Sequence, residues 1–200
     1  MEFIFQIAIL LFSVVVHEVS HGAVAYALGD PTAKNEGRLT LNPLSHLDFF
    51  GSIVLPIILY MTSGFIFGWA KPVPYNPYNL KNQKYGPAMV GIAGPLSNLI
   101  IAVVFGFLVR FSYALNLPQA FFEIALYIVF LNLILTVFNL VPIPPLDGSK
   151  ILFAFLPARS IEFQATLERY GIFFLLIFIF FFSGIILPIV TFLLRLLTGG

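Results

Sequence analysis

Apolar residues fill the chain in long runs, and the polar positions between them fall at a few definite points. Residues 2–28 form the first run, long enough for one crossing at about 20 residues per bilayer. Gly29 and Pro31 supply the stop: glycine suits the position just past a helix C-terminus, and proline cannot continue the helix. The segment "PTAKNEGRLTLNPLSHLD" follows, and the alternation in "RLTLN" predicts a short β-hairpin rather than a span. Residues 51–68 are apolar but short, and Pro56 and Gly64 interrupt them, which predicts a re-entrant segment. The proline-rich stretch "WAKPVPYNPYNLKNQKYG" reads as extended and surface-facing. Spans are predicted at 86–111, 120–141 and 171–194, the last kinked at Pro188. The mixed-charge residues 150–170 are expected to lie along the membrane surface.

Composition turns this pattern into a class. The 200 residues are 60% hydrophobic and 10% charged, with a mean hydropathy of +0.99. Soluble domains carry about 25% charged residues, so the chain reads as an all-α polytopic membrane protein. The expected architecture is about four full transmembrane helices, a re-entrant segment and a hairpin. They form one membrane-embedded domain over 1–200, with a core at 2–156 and a C-terminal surface segment and span at 157–200. A net charge of +1 and no basic arm argue against nucleic acid as a partner. The absence of cysteine excludes disulfides, a thiol nucleophile and thiolate zinc ligands. The opening "MEF" has no Lys or Arg, so no secretory leader is expected there.

Polar chemistry is concentrated in "VVVHEVSHG", inside the first span. An ionisable residue at the centre of a span costs on the order of 2.5–3.5 kcal/mol on insertion scales, and such residues are usually functional. His17 and His21 are four apart, so on a helix they differ by about 40° and one turn and can reach one metal ion. Glu18 follows the first histidine and can approach metal-bound water without being a ligand. This is the His-Glu-x-x-His arrangement of zinc hydrolases, with two ligands and a general base. Histidines bonded to neighbouring helices are the competing reading. A third ligand is required, and the candidates are His46, Asp30, Asp48 and Asp147. Asp30 reads most simply as a cap or a surface charge. Asp147 lies in "NLVPIPPLDGSK", where three prolines hold the backbone extended and Gly148 permits a sharp turn. A helix-initiating cap is its alternative role.

"HEVSHG", "GIAGPLSN" and "NLVPIPPLDG" occur in the order they have in the site-2 protease family of intramembrane zinc metalloproteases, which the chain resembles over most of residues 10–155. "LTLNPLSHLD" and "WAKPVPYNP" are similar to a compact prokaryotic branch without PDZ or CBS domains. The resemblance implies one Zn2+ per chain held by His17, His21 and Asp147, Glu18 as catalytic base, and functional asparagines at Asn98 and Asn139. It implies single-pass membrane proteins as substrates, cut by regulated intramembrane proteolysis near the cytoplasmic face. The apolar insert 51–68 departs from the family pattern.

Topology bears on this expectation. Asp147 reaches the His17 end of the first span only if 51–68 returns to the side it left. Lys34, Arg38, Lys71, Lys81, Lys84, Lys150, Arg159 and Arg169 then share one face, against Arg110 and Arg195 on the other. The face with more cations is expected to be cytoplasmic, in a prokaryotic cell membrane. Asn132, Thr136 and Asn139 line one face of their helix. The first two are expected to bond between helices and Asn139 to serve the site. Asn98 is divided between packing and function, and His46 between capping, support and the metal. A zinc-binding scaffold and a small metal-cation transporter are the rival functions. Glu18 argues against the first, and the lack of two related halves against the second. A homo-oligomer or a regulatory partner stays open.

Overall fold

The computed structural model describes residues 2–46, 48, 51, 54, 58, 61 and 71–200. Among the described residues, four apolar helical stretches are long enough to cross a membrane: Ile4–Ala27, Gly86–Arg110, Gln119–Asn139 and Ile161–Thr198. Their helices are α1 (Glu2–Ala27), α3 (Gly86–Arg110) and α4 (Gln119–Asn139), and the final run containing α6 (Ile161–Ile177) and α7 (Ile186–Thr198). Two short helices stand between them, α2 (Thr32–Asn35) and α5 (Asp147–Phe155). The described residues contain no strand, so the protein is a multi-pass, all-α membrane protein.

The stop of α1 is as expected, with Gly29 in the left-handed region at φ +110° and its N–H on the Tyr26 carbonyl. α3 forms the centre. It packs on α1, α4, α5 and α7. Ala102 and Val109 of α3 join Ala125, Val129 and Leu133 of α4 and Val190 of α7 in a buried cluster. Buried polar groups on the same faces are paired between helices, as a membrane interior demands. Asn132 donates to Ser13 Oγ at 3.0 Å, and Thr136 Oγ1 donates to the Pro95 carbonyl at 3.2 Å. The interhelical roles expected for Asn132 and Thr136 are therefore observed.

No hairpin forms at "RLTLN" among the described residues. Side chains replace the partner strand there. Buried Arg38 folds back to donate to the Ser45 carbonyl and to those of Lys71, at 2.8 Å, and Pro72, at 3.3 Å. The His46 ring donates from Nε2 to the Thr40 carbonyl at 2.8 Å. Backbone acceptors satisfied in this way need no ladder. The Lys71 N–H also bonds the His46 carbonyl at 2.8 Å, so the chain at 46 and at 71 meets at one point. The re-entrant reading of 51–68 falls on residues that lie almost wholly outside those described.

The last helical run starts at Ile161, earlier than the expected span at 171. Helical turns run from Ile161 to Thr198, which is 38 residues or about 57 Å at 1.5 Å per residue, well beyond a ~30 Å hydrocarbon core. Its irregular part precedes Pro188, with wider turns at Phe178–Phe182 and tighter ones at Ser183–Ile185. A proline withholds the N–H that the carbonyl four residues back would receive, so the disturbance belongs N-terminal to it.

Candidate metal centre

His17 and His21 lie on the buried side of α1, ten and six residues before its end, with α3 across from them and α5 above. His21 Nδ1 is 2.6 Å from the Val90 carbonyl, which can only accept, so that nitrogen carries a proton. His17 Nδ1 is 2.6 Å from Asn98 Oδ1. The orientation of Asn98 is set by its other bonds, because Nδ2 donates to the Ser13 carbonyl at 3.2 Å and to Asn132 Oδ1 at 2.8 Å. Asn132 is fixed in turn by donating to the Ile128 carbonyl at 2.9 Å. Both histidines thus carry hydrogen on Nδ1 and turn Nε2 inward, the arrangement that outer partners impose on metal-binding imidazoles.

Asp147 is the first residue of α5. Its carboxylate is not spent on capping that helix. Oδ2 lies 3.1 Å from His17 Nε2 and 3.0 Å from His21 Nε2, and Oδ1 accepts from Lys150 Nζ at 2.9 Å. Burial disfavours the charged carboxylate, but the two imidazoles, which bond it when Nε2 also carries a proton, and the Lys150 ammonium outweigh burial and hold the group well below the usual range. Burial likewise acts against the Lys150 ammonium, and the Asp147 charge more than offsets it. Gly148 makes no sharp turn. It is helical, packed against the Leu140 and Val141 carbonyls with no room for a Cβ.

The three atoms facing one another are therefore all acceptors once Nδ1 holds the imidazole protons, and they lie within 4.8 Å of one another. Such a set requires a cation or an added proton among them. Ligands at 2.0–2.1 Å in tetrahedral array are about 3.4 Å apart, so nitrogen and carboxylate donors in this arrangement suit zinc. Gly94 of α3 completes the cradle. A Cβ there would sit 2.5 Å from both Nε2 atoms. The glycine leaves open the volume in which an ion would touch both rings.

Glu18 is half-buried and outside this triad, with Oε2 accepting from the Val73 N–H at 2.9 Å. Asn139 is not brought to the triad in any described bond; its Nδ2 donates to the Leu135 carbonyl at 3.0 Å in its own helix. Asn98 touches His17 directly, and both of its amide hydrogens are engaged. His46 is buried in the turn beside Thr40, away from the triad. Asp30 is neither a surface charge nor a simple cap. It is fully buried and accepts from Thr32 N–H and Oγ1, Asn76 N–H and Asn79 Nδ2. Sequence reasoning missed Lys150 as part of the site, although its place three residues after Asp147 puts it on the same helix face.

The model of peptidase family M50 matches residues 116–180, the stretch that contains Asp147. Over 180 residues the chain is 41% identical to YwhC of Bacillus subtilis, named as a candidate zinc metalloprotease, with 85% of this chain and 78% of that protein covered. Rip2 of Mycolicibacterium smegmatis, named in the same way, is 30% identical over 177 residues, covering 84% of this chain and 64% of that protein. Rip2 of Mycobacterium tuberculosis is 27% identical over 175 residues, covering 88% and 66%. No solved structure matches the chain. A multi-pass helical protein with an inward-facing His, His and Asp set is of the membrane metalloenzyme class. Within that class the chain belongs to peptidase family M50, the site-2 protease family.

Proposed function

We propose that this intramembrane zinc metalloprotease holds one zinc ion through His17 Nε2, His21 Nε2 and Asp147 Oδ2, and cuts single-pass membrane proteins near the cytoplasmic face of a prokaryotic cell membrane. The observation that carries the reading is the convergence of the two Nε2 atoms on Asp147 Oδ2, at 3.1 and 3.0 Å, with Gly94 leaving space beside them. Bound zinc supplies a Lewis acid that polarises the scissile carbonyl and activates water at neutral pH. Glu18, one residue after His17, takes a proton from the attacking water and returns it to the leaving nitrogen as the C–N bond breaks. Val73 N–H holds the Glu18 carboxylate in the meantime. Asn98 is a positioning residue for His17, since it has no donor left for substrate. Asn139 keeps one amide hydrogen for the substrate backbone.

A substrate helix hides its carbonyls in its own hydrogen bonds and must unwind to be cut. The chain around Lys71–Tyr75, which contains two prolines and is anchored by Arg38, is a surface on which an unwound segment adds as a strand. Weakly helical spans therefore make the preferred substrates, as regulated intramembrane proteolysis requires. Two features support the topology. Residues 46 and 71 are hydrogen-bonded, so the described chain on either side of that stretch meets at one place, as the proposed shared face requires. Arg110 donates to the Leu196 carbonyl, which is consistent with Arg110 and Arg195 sharing the face opposite the other eight cations.

The test is metal analysis of the purified protein. About one zinc per chain is expected, with loss of zinc in His17→Ala and in Asp147→Ala. Full occupancy in Asp147→Ala would remove the third ligand and the reading with it.

A further inference from the structure

Lys150 is held from three directions. Its stem runs along α3 at Gly91, where a Cβ would lie 3.0 Å from Lys150 Cβ and 3.1 Å from its Cδ. Its ammonium sits 5.5 Å from the centre of the Tyr75 ring and bonds Asp147 Oδ1 at 2.9 Å. The outer side of the residue lines a cavity of about 340 Å3 shared with Tyr75, Phe153 and Glu168. The bond to Asp147 divides the carboxylate, with Oδ1 given to an ammonium and Oδ2 turned to the two imidazoles.

We propose that Lys150 is a positioning residue that takes up the second oxygen of Asp147, so that the carboxylate offers a metal ion Oδ2 alone, and with reduced basicity. The inference rests on the zinc reading and goes beyond it. Carboxylate partners behind metal-binding histidines raise ligand basicity and strengthen binding. A cation behind a metal-binding carboxylate does the reverse on both counts. It draws charge from the ligand, and it repels the ion across a short distance in a buried setting. Lys150 therefore trades zinc affinity for an uncrowded ion whose remaining position is free for water and substrate. A simple ion pair between residues three apart on a helix would stabilise α5 and leave the metal indifferent to its loss.

The two roles separate on zinc affinity, measured on the purified full chain by competition with a chromophoric chelator. Lys150→Met is expected to hold zinc about tenfold more tightly than the parent, the scale on which outer partners act. Its cleavage of a membrane substrate is expected to fall. Lys150→Arg restores the donor and the charge, and is expected to bring both quantities back towards the parent values. Unchanged or weaker zinc binding in Lys150→Met overturns the proposal. Should that variant fail to fold, Lys150→Gln, which removes the charge from a polar head, is judged on the same affinity scale. His17→Ala is the control. If it keeps zinc, the zinc reading itself fails; if it loses zinc while the Lys150 variants match the parent, only the role of Lys150 fails.

Discussion

Replacing Gly94 with alanine adds one carbon at the place where an ion would sit. In the structure that carbon would lie 2.5 Å from His17 Nε2, 2.5 Å from His21 Nε2 and 2.6 Å from His17 Cε1. Ordinary contact begins near 3.5 Å, so both rings are overlapped by about 1 Å and must move outward. The fold tolerates this better than the metal does. Exchanging a glycine inside a helix for alanine gains about 0.5–1 kcal/mol of backbone entropy, and overpacking costs about 1–3 kcal/mol, so net stability falls by no more than about 2.5 kcal/mol. A donor set displaced by about 1 Å loses on the order of a hundredfold in a function tuned to its geometry, roughly 2.8 kcal/mol. The expected result for Gly94→Ala is a folded protein whose zinc affinity falls at least about a hundredfold. Chelator competition in detergent measures the affinity, with thermal unfolding alongside. Gly184→Ala, at a glycine where an added Cβ would have nothing within 4 Å, is the control and is expected to bind as the parent does. Parent-like zinc affinity in Gly94→Ala would show that the three ligand atoms do not enclose the ion here.

Removing the acceptor behind His17 in Asn98→Ala is expected to weaken zinc about tenfold or more, and the same titration reads it; an unchanged affinity contradicts the orienting role. Asp30 has its pKa lowered in the folded protein because four hydrogen bonds to the charged carboxylate outweigh its burial. Its contribution to stability is therefore complete above the ordinary carboxylate pKa near 4 and is lost as pH falls through the lower folded value. The difference in unfolding midpoint between the parent and Asp30→Asn is expected to be constant from pH 5 to 8 and to shrink below about pH 4; a constant gap down to pH 3 contradicts it. Single cysteines at the exposed positions Lys34, Lys81 and Arg159 are expected to react with an impermeant thiol reagent from the cytoplasmic side, and one at Tyr113 from the other. Labelling of position 81 together with 113 would refute the shared face.

The parts legible in the sequence are those governed by local period and by residue chemistry. Gly29 and Pro31 mark the end of α1 because each acts through its own backbone, and the spacing of His17 and His21 survives because a helix fixes it. The third ligand was legible only through the proline-bent segment before Asp147. What stayed hidden depends on distant backbone groups that leave no mark on the side-chain pattern. The Val90 carbonyl sets the tautomer of His21 from 69 residues away, and the Val73 N–H holds Glu18 from 55. "RLTLN" alternates like a strand, but a long arginine supplies the donors that a partner strand would have given. The sequence leaves Asn98 divided between packing and function and favours Asn139 for the site. Only packing shows that the first meets His17 while the second bonds back onto its own helix. Asp30 follows a helix stop, where a charge is usually solvated; the return of Asn76 and Asn79 to that point buries it.

In the proposed reaction Glu18 moves the proton at a zinc site it does not help to build. Glu18→Gln keeps the shape of the side chain and removes its basicity, while the three ligand atoms are untouched. The most direct measurement is therefore zinc content and substrate cleavage on the same purified sample of Glu18→Gln, with a model single-pass substrate in lipid. About one zinc per chain is expected, as in the parent, with cleavage reduced at least about a hundredfold. Cleavage at close to the parent rate, or zinc lost together with activity, would contradict it.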